Sequence, residues 1–97
     1  MTLAEFRAAL SEPKPPAGLA APLAALWHDA RGDWERAHRV AMKARGRDGA
    51  WVHAYLHRKE GDLDNARYWY RKAQRPEATG TLEAEWAAIA AALLAGD

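Results

Sequence analysis

The stretch that decides the fold runs from Ala50 to Ala73 and reads AWVHAYLHRKEGDLDNARYWYRKA. Apolar residues recur at helical spacing on both sides of Gly61, and this spacing predicts a helix before the glycine and a second helix after it. Glycine commonly ends a helix, and Asp62 is a typical N-cap residue for the next one. The stretch is therefore predicted to form a hairpin of two helices.

The segments before this hairpin add three more predicted helices. A short amphipathic helix lies within residues 1–11, and a connector follows at 12–18, where three prolines within four positions exclude a helix. The ranges 19–31 and 34–45 both show helical spacing and meet at a glycine turn. These two ranges are predicted to form an earlier hairpin.

Two further predictions concern the rest of the chain. Gly46 to Gly49 is expected to be a short turn in which Asp48 caps the following helix. A closing helix is expected within residues 81–95, where an apolar stripe follows the capping residue Thr81. No segment alternates as a strand does, so residues 1–97 are predicted to be one all-α domain. Ten residues are expected to be substantially buried: Leu26, Trp34, Val40, Leu56, Leu63, Trp69, Tyr70, Trp86, Ile89 and Leu93.

Composition narrows the classes of function. Hydrophobic residues make up 49% of the chain and charged residues 28%, which predicts a globular protein. Fourteen basic and thirteen acidic residues leave a net charge of +1, so a general nucleic-acid-binding function is not favoured. The chain has no cysteine, which excludes disulfides and thiolate metal sites. No secretory signal and no apolar run of about 20 residues is visible, so we expect a cytoplasmic protein outside the membrane.

The two hairpins are related by an internal repeat at an offset of 29 residues, from Gly32 to Gly61. Identical residues at this offset include His28 and His57, Asp33 and Asp62, Ala37 and Ala66, and Ala44 and Ala73. A single helical hairpin cannot bury its own apolar face, whereas two stacked copies can. The repeat therefore predicts two stacked hairpins over residues 19–75.

The second copy resembles the tetratricopeptide family, including its Sel1-like relatives. The residues that carry the resemblance are Gly61, Asp62, Leu63, Ala66, Tyr70 and Ala73, and the similarity covers about residues 20–75. The period of 29 is shorter than the roughly 34 residues of that family. The resemblance implies a scaffold that presents first-helix side chains on a concave face to a peptide or protein partner.

The sharpest candidate for chemistry is a group on the first helix of the second copy. His53, His57 and Glu60 are spaced i, i+4 and i+7, so they share one helix face and are predicted to bind a divalent metal ion. His28 occupies the place of His57 in the first copy and is a candidate fourth ligand. The alternatives are a solvated or hydrogen-bonded histidine face, or histidines that order the packing between the copies.

A second candidate is the line of Arg67, Arg71 and Arg75, with Lys72 beside it. Guanidinium groups bind phosphates and carboxylates, so this line could bind an anionic ligand or an acidic peptide. The alternative is an ordinary solvated helix face, in which Arg67 pairs with an aspartate one turn earlier. Tyr68 lies on the flank of its helix, where it could contact a ligand.

No catalytic constellation is visible, since the only serine, Ser11, lies beside the proline-rich connector. We therefore expect a non-enzymatic helical-repeat module that binds a protein or peptide, although an enzymatic role stays open. The alternative is a small metal- or ligand-binding protein that uses His53, His57 and Glu60 with His28. The sequence leaves open whether the chain is a monomer or a homodimer.

Overall fold

A computed structural model describes residues 1–96, and these residues form six α-helices and no strand. The helices are α1 (Leu3–Ala8), α2 (Ala21–Ala30), α3 (Trp34–Lys43), α4 (Gly46–Glu60), α5 (Leu63–Ala73) and α6 (Leu82–Leu94). A single 3₁₀ turn, Ala9–Ser11, follows α1. The predicted all-α class is thus confirmed. None of the helices within residues 1–96 has both the length and the apolar character that a membrane span requires.

Side-chain caps mark the starts of four helices, and at α1 Thr2 and Glu5 form a capping box. Asp33, Asp62 and Thr81 each accept a hydrogen bond from the backbone N–H three residues further on, at the starts of α3, α5 and α6. Gly61 ends α4 with a left-handed φ of 90°, a conformation that costs glycine little. The turn between α4 and α5 therefore follows from local chemistry, as the sequence predicts.

The turn predicted at Gly46–Gly49 is wrong, because these residues form the first turn of α4. Asp48 lies inside this turn and does not cap it. A Cβ atom on Gly49 would lie 2.6 Å from the carbonyl oxygen of Ala44, which is closer than side-chain carbons approach such atoms. Gly49 thus allows the start of α4 to pack directly on the end of α3.

Helix α4 is the centre of the fold, and it packs against α2, α3, α5 and α6. Helix α6 lies on α2 and α4, the first helices of the two hairpins. The indole N–H of Trp86 on α6 donates to the carbonyl of Leu26 on α2 at 3.0 Å. The same indole stacks on Phe6 of α1, with ring centroids 5.6 Å apart. Helix α6 therefore covers the two hairpins, and α1 packs on α6.

Two buried carboxylates join the helices on this side. Asp29 of α2 accepts hydrogen bonds from Tyr55 at 2.8 Å and from Lys59 at 3.0 Å, both on α4. Glu85 of α6 pairs with Arg58 of α4 at 2.9 Å and also accepts a hydrogen bond from the hydroxyl of Tyr70. Burial and the adjacent carboxylate raise the pKa of each tyrosine above its ordinary value, so both phenols stay protonated as donors.

Nine of the ten residues predicted to be buried lie at least partly inside. Leu26, Leu56, Tyr70, Trp86 and Ile89 are buried, and Trp34, Val40, Trp69 and Leu93 are partly buried. Leu63 contradicts the prediction, because 51% of it is exposed. It is the first residue of α5, at the tip of the hairpin, where neither helix has a further turn to cover it.

Replacing Trp86 by alanine tests the contact of α6 with the hairpins. Trp86→Ala removes a buried ring and a hydrogen bond, so we expect the free energy of unfolding to fall by about 3–5 kcal/mol. Urea denaturation followed by circular dichroism measures this change. The control is Leu63→Ala, for which the exposed site predicts a loss within about 0.5 kcal/mol. Equal stability of Trp86→Ala and the parent would show that α6 does not close the core.

Candidate metal centre

Three histidines meet where α3 and α5 pack against α4. His38 comes from α3, whereas His53 and His57 come from successive turns of α4. The Nε2 atoms of His38 and His53 lie 3.0 Å apart, so one ring donates a hydrogen bond to the other. The ring centroids of His38 and His57 are 5.1 Å apart, and those of His53 and His57 are 4.8 Å apart. We call these three residues the histidine cluster.

Two polar side chains hold the third imidazole in place. The Nδ1 atom of His57 lies 2.5 Å from a carboxylate oxygen of Glu60. Its Nε2 atom lies 3.3 Å from the side-chain amide nitrogen of Asn65 on α5. A carboxylate on one imidazole nitrogen fixes the proton there and leaves the other nitrogen as an acceptor or metal ligand. Glu60 therefore orients the imidazole of His57 and does not serve as a separate metal ligand beside it.

Two tryptophans enclose the histidine cluster. The Trp34 indole stacks on His38 with centroids 4.9 Å apart and planes 7° from parallel. The Trp69 indole stacks on His53 at 4.0 Å and 15°. His53 and His57 are only 5% and 6% exposed. The cluster thus lies in an environment of aromatic rings with little contact to solvent.

This environment keeps two of the imidazoles neutral. Burial lowers the pKa of His53 from 6.5 to about 4, and repulsion from His57 and His38 acts in the same direction. Burial also lowers the pKa of His38, with a further contribution from His57 that outweighs the opposing attraction of Glu60. A neutral imidazole is the form that binds metal ions. Both imidazoles are consequently available as metal ligands at neutral pH.

The donor atoms lie near, but not at, the spacing that a bound transition metal ion requires. One nitrogen from each of the three histidines can be chosen so that all lie within 4.8 Å of one another. Tetrahedral zinc with bonds of about 2.0–2.1 Å separates its ligand nitrogens by roughly 3.3 Å. Small side-chain rotations would therefore bring the three nitrogens to bonding distance. Three protein ligands leave one coordination position for a ligand from outside the protein.

The structure brings together only part of the metal site predicted from the sequence. His53 and His57 are members of the cluster, and Glu60 adjoins it through His57. His28 lies elsewhere, with its ring edge against Trp27 and next to a separate shallow cavity. A second group of possible ligand atoms joins His57 and Glu60 with Asp62, but both carboxylates are exposed.

His38 and Asn65 were missed by the sequence analysis. The position equivalent to His38 in the second copy is Arg67, so the internal repeat gives no signal there. A usable signal is the spacing of His38 within α3, since it follows Trp34 by one helical turn on the side that packs inward. Asn65 lies in the first turn of α5, where a polar residue is ordinarily solvated.

The predicted arginine line divides into residues with different surroundings. Arg67 pairs with Asp64 at 2.9 Å and with Glu77 at 3.1 Å, so its charge is compensated. Arg75 lies over the ring of Trp51, with its guanidinium carbon 3.9 Å from the centroid. Arg71 is exposed, and Tyr68 is 45% exposed. The three arginines therefore differ in their contacts, and anion binding by this line stays a prediction.

Two cavities lie on opposite sides of α4. A cleft of about 270 Å³ borders the histidine cluster and is lined by Ala41, Met42, Ala44, Gly46, Arg47, Gly49, Ala50, His53, Trp69 and Lys72. We call it the α3–α5 cleft. The other cavity, of about 530 Å³, is lined by Asp29 and by Tyr55 and Lys59, which both donate hydrogen bonds to Asp29. The buried carboxylate of Asp29 in this larger cavity already has hydrogen-bond partners. The α3–α5 cleft, by contrast, borders a residue of the histidine cluster.

The chain matches no protein-family model, and neither the curated proteins nor the solved structures include a match. The resemblance to the tetratricopeptide family accordingly stays a prediction.

The low pKa of His53 predicts how stability depends on pH in the metal-free protein. Between pH 6.5 and about 4, the unfolded chain binds a proton at this residue that the folded chain excludes. The free energy of unfolding should therefore fall, by up to about 3 kcal/mol, as the pH is lowered through this window. Urea denaturation at a series of pH values measures the slope.

The variant His53→Gln should lose most of this dependence while keeping a polar side chain of similar reach. Parallel pH profiles for the variant and the parent would contradict the assignment of the slope to His53.

Proposed function

We propose that this protein binds one divalent transition metal ion through His38, His53 and His57. The observation that carries the proposal is the convergence of three imidazoles from two helices, with donor atoms within 4.8 Å of one another. Such a set selects zinc, nickel, cobalt or copper over magnesium or calcium, because the latter two prefer oxygen ligands. Glu60 supports the set as the carboxylate that orients His57.

The low polarity of the surroundings supports the same conclusion. Protons compete with metal ions for imidazole nitrogens, and this competition is weak at neutral pH for the two histidines with lowered pKa. The stacking of Trp34 and Trp69 on two of the rings restricts their rotation. Restricted rings lose less conformational entropy when they bind an ion.

Calorimetric titration of chelator-treated protein with zinc, nickel and cobalt tests the proposal. We expect one ion per chain, and we expect His53→Ala to abolish stoichiometric binding. Glu60→Gln keeps all three ligands, so it should weaken binding by about 10- to 100-fold. Because the ion binds the folded chain, a concentration of 100 times the dissociation constant should stabilise it by about 2.7 kcal/mol.

His28→Ala is the matched control, since it removes a histidine that lies outside the cluster. It should bind the ion as the parent does. Absence of binding in the parent, or equal loss in His28→Ala and His53→Ala, would assign the cluster a purely structural role in packing α3 and α5 on α4.

The helical-repeat interaction module predicted from the sequence stays a second proposal. Its support is the exposure of Tyr68 and Met42, large side chains that lie on α5 and α3. Because α6 lies on α2 and α4, the first-helix face is not the surface that such a partner would use. If this function holds, Tyr68→Ala and Arg71→Ala should weaken partner binding while removal of metal leaves it unchanged.

A further inference from the structure

We propose that the α3–α5 cleft binds a small organic anion, whose carboxylate or phosphate-like group is held by Arg47 and Lys72 and completes the coordination of the metal ion. The inference rests on the proposed metal centre and adds the class of ligand that the centre takes. Three observations support it: the charge of the cleft, its contact with the histidine cluster, and its aromatic wall.

The charge of the cleft has one sign. Among the described residues that line it, the only charged side chains are Arg47 and Lys72. Neither side chain forms an ion pair with a carboxylate within residues 1–96. Cations that lie together in a concave site and have no acidic partner within the protein attract anions. Guanidinium and ammonium groups both bind carboxylate and phosphate oxygens. By contrast, Arg67, which lies on the same helix as Lys72, has two acidic partners.

The cleft touches the histidine cluster at a single residue. His53 lines the cleft and also lies 3.0 Å from His38 within the cluster. A ligand in the cleft therefore approaches the cluster from the side of His53. A set of three histidines leaves room for one outside ligand, and an anionic oxygen is a favourable one for a divalent cation.

The uncharged residues that line the cleft limit the size and polarity of the rest of the ligand. Trp69 contributes an indole ring, and Met42 contributes a flexible thioether side chain that is 61% exposed. The lining also includes small residues, among them Gly49 and Ala50. The Lys72 ammonium lies 5.6 Å from the centroid of Trp69, so the charge and the aromatic surface are adjacent. A planar or short apolar body that carries one anionic group fits this lining, and the volume of about 270 Å³ limits it to a small molecule.

Visible absorption of the cobalt-loaded protein provides the test, because the spectrum of bound cobalt changes when its ligands change. The probes are benzoate and phenylphosphonate, with benzamide as the neutral analogue. We expect a saturable change with at least one anion and none with benzamide, and the stronger of the two anions identifies the head group. Lys72→Gln and Arg47→Gln should each raise the dissociation constant of the anion on the order of 5- to 20-fold.

Arg39→Gln is the matched control, since it removes the same charge from α3 at an exposed residue that does not line the cleft. Its effect should stay within about twofold, as expected for a screened surface charge. If cobalt binds stoichiometrically and neither anion alters its spectrum, the inference is wrong while the metal centre stands. An equal loss in Arg39→Gln and Lys72→Gln would also overturn it. Failure of cobalt to bind would overturn the metal centre itself.

Discussion

The structure depends on the burial of α4 among its neighbours. This helix packs against α2, α3, α5 and α6, and every residue from Val52 to His57 is buried. Over these six residues the helix has no solvent-facing side for polar groups. A polar side chain that is buried on α4 must therefore find a partner or lose its charge, because an unpaired charge in a protein interior is costly. The two sides of α4 meet this requirement in different ways.

On the side toward α2 and α6, charges are kept and paired. Lys59 reaches the buried Asp29, and Arg58 reaches the buried Glu85. Each carboxylate also accepts a hydrogen bond from a tyrosine, so both of its oxygens are engaged. Such groups fix the relative positions of helices, but they have little capacity left for a ligand. This explains why the larger cavity beside Asp29 is the weaker candidate for a functional site.

On the side toward α3 and α5, charge is removed by deprotonation. No buried carboxylate faces His38 or His53 among the described contacts, and the pKa of each is lowered by burial. Neutral imidazoles satisfy one another by hydrogen bonding, and the same nitrogens are strong ligands for transition metals. The enclosure that stabilises the fold thus also creates a group of donors suited to metal binding.

Local chemistry made much of this fold predictable, whereas close backbone contacts and the packing of helices on one another account for what was missed. The turn at Gly61 and Asp62 depends on residues adjacent in sequence, so it was predicted correctly. The start of α4 depends on the contact of Gly49 with Ala44, which composition and spacing do not reveal. The spacing of His53 and His57 predicts that they share one face of α4. The pattern within a single helix does not reveal that two other helices cover this face. His38 has no histidine at its repeat-equivalent position, so only the packing of α3 on α4 identifies it.

That packing also links metal binding to the arrangement of the two hairpins. Helices α3 and α4 are separated by only two residues, Ala44 and Arg45, and they approach closely at Gly49. His38 and His53 each lie between one and two helical turns from this contact, on opposite helices. Their separation is therefore set by how closely the helices approach there. An ion held by both residues would join the second helix of one hairpin to the first helix of the next. By thermodynamic linkage, the free energy by which the bound ion stabilises the packed junction equals the free energy by which the packed junction strengthens binding of the ion.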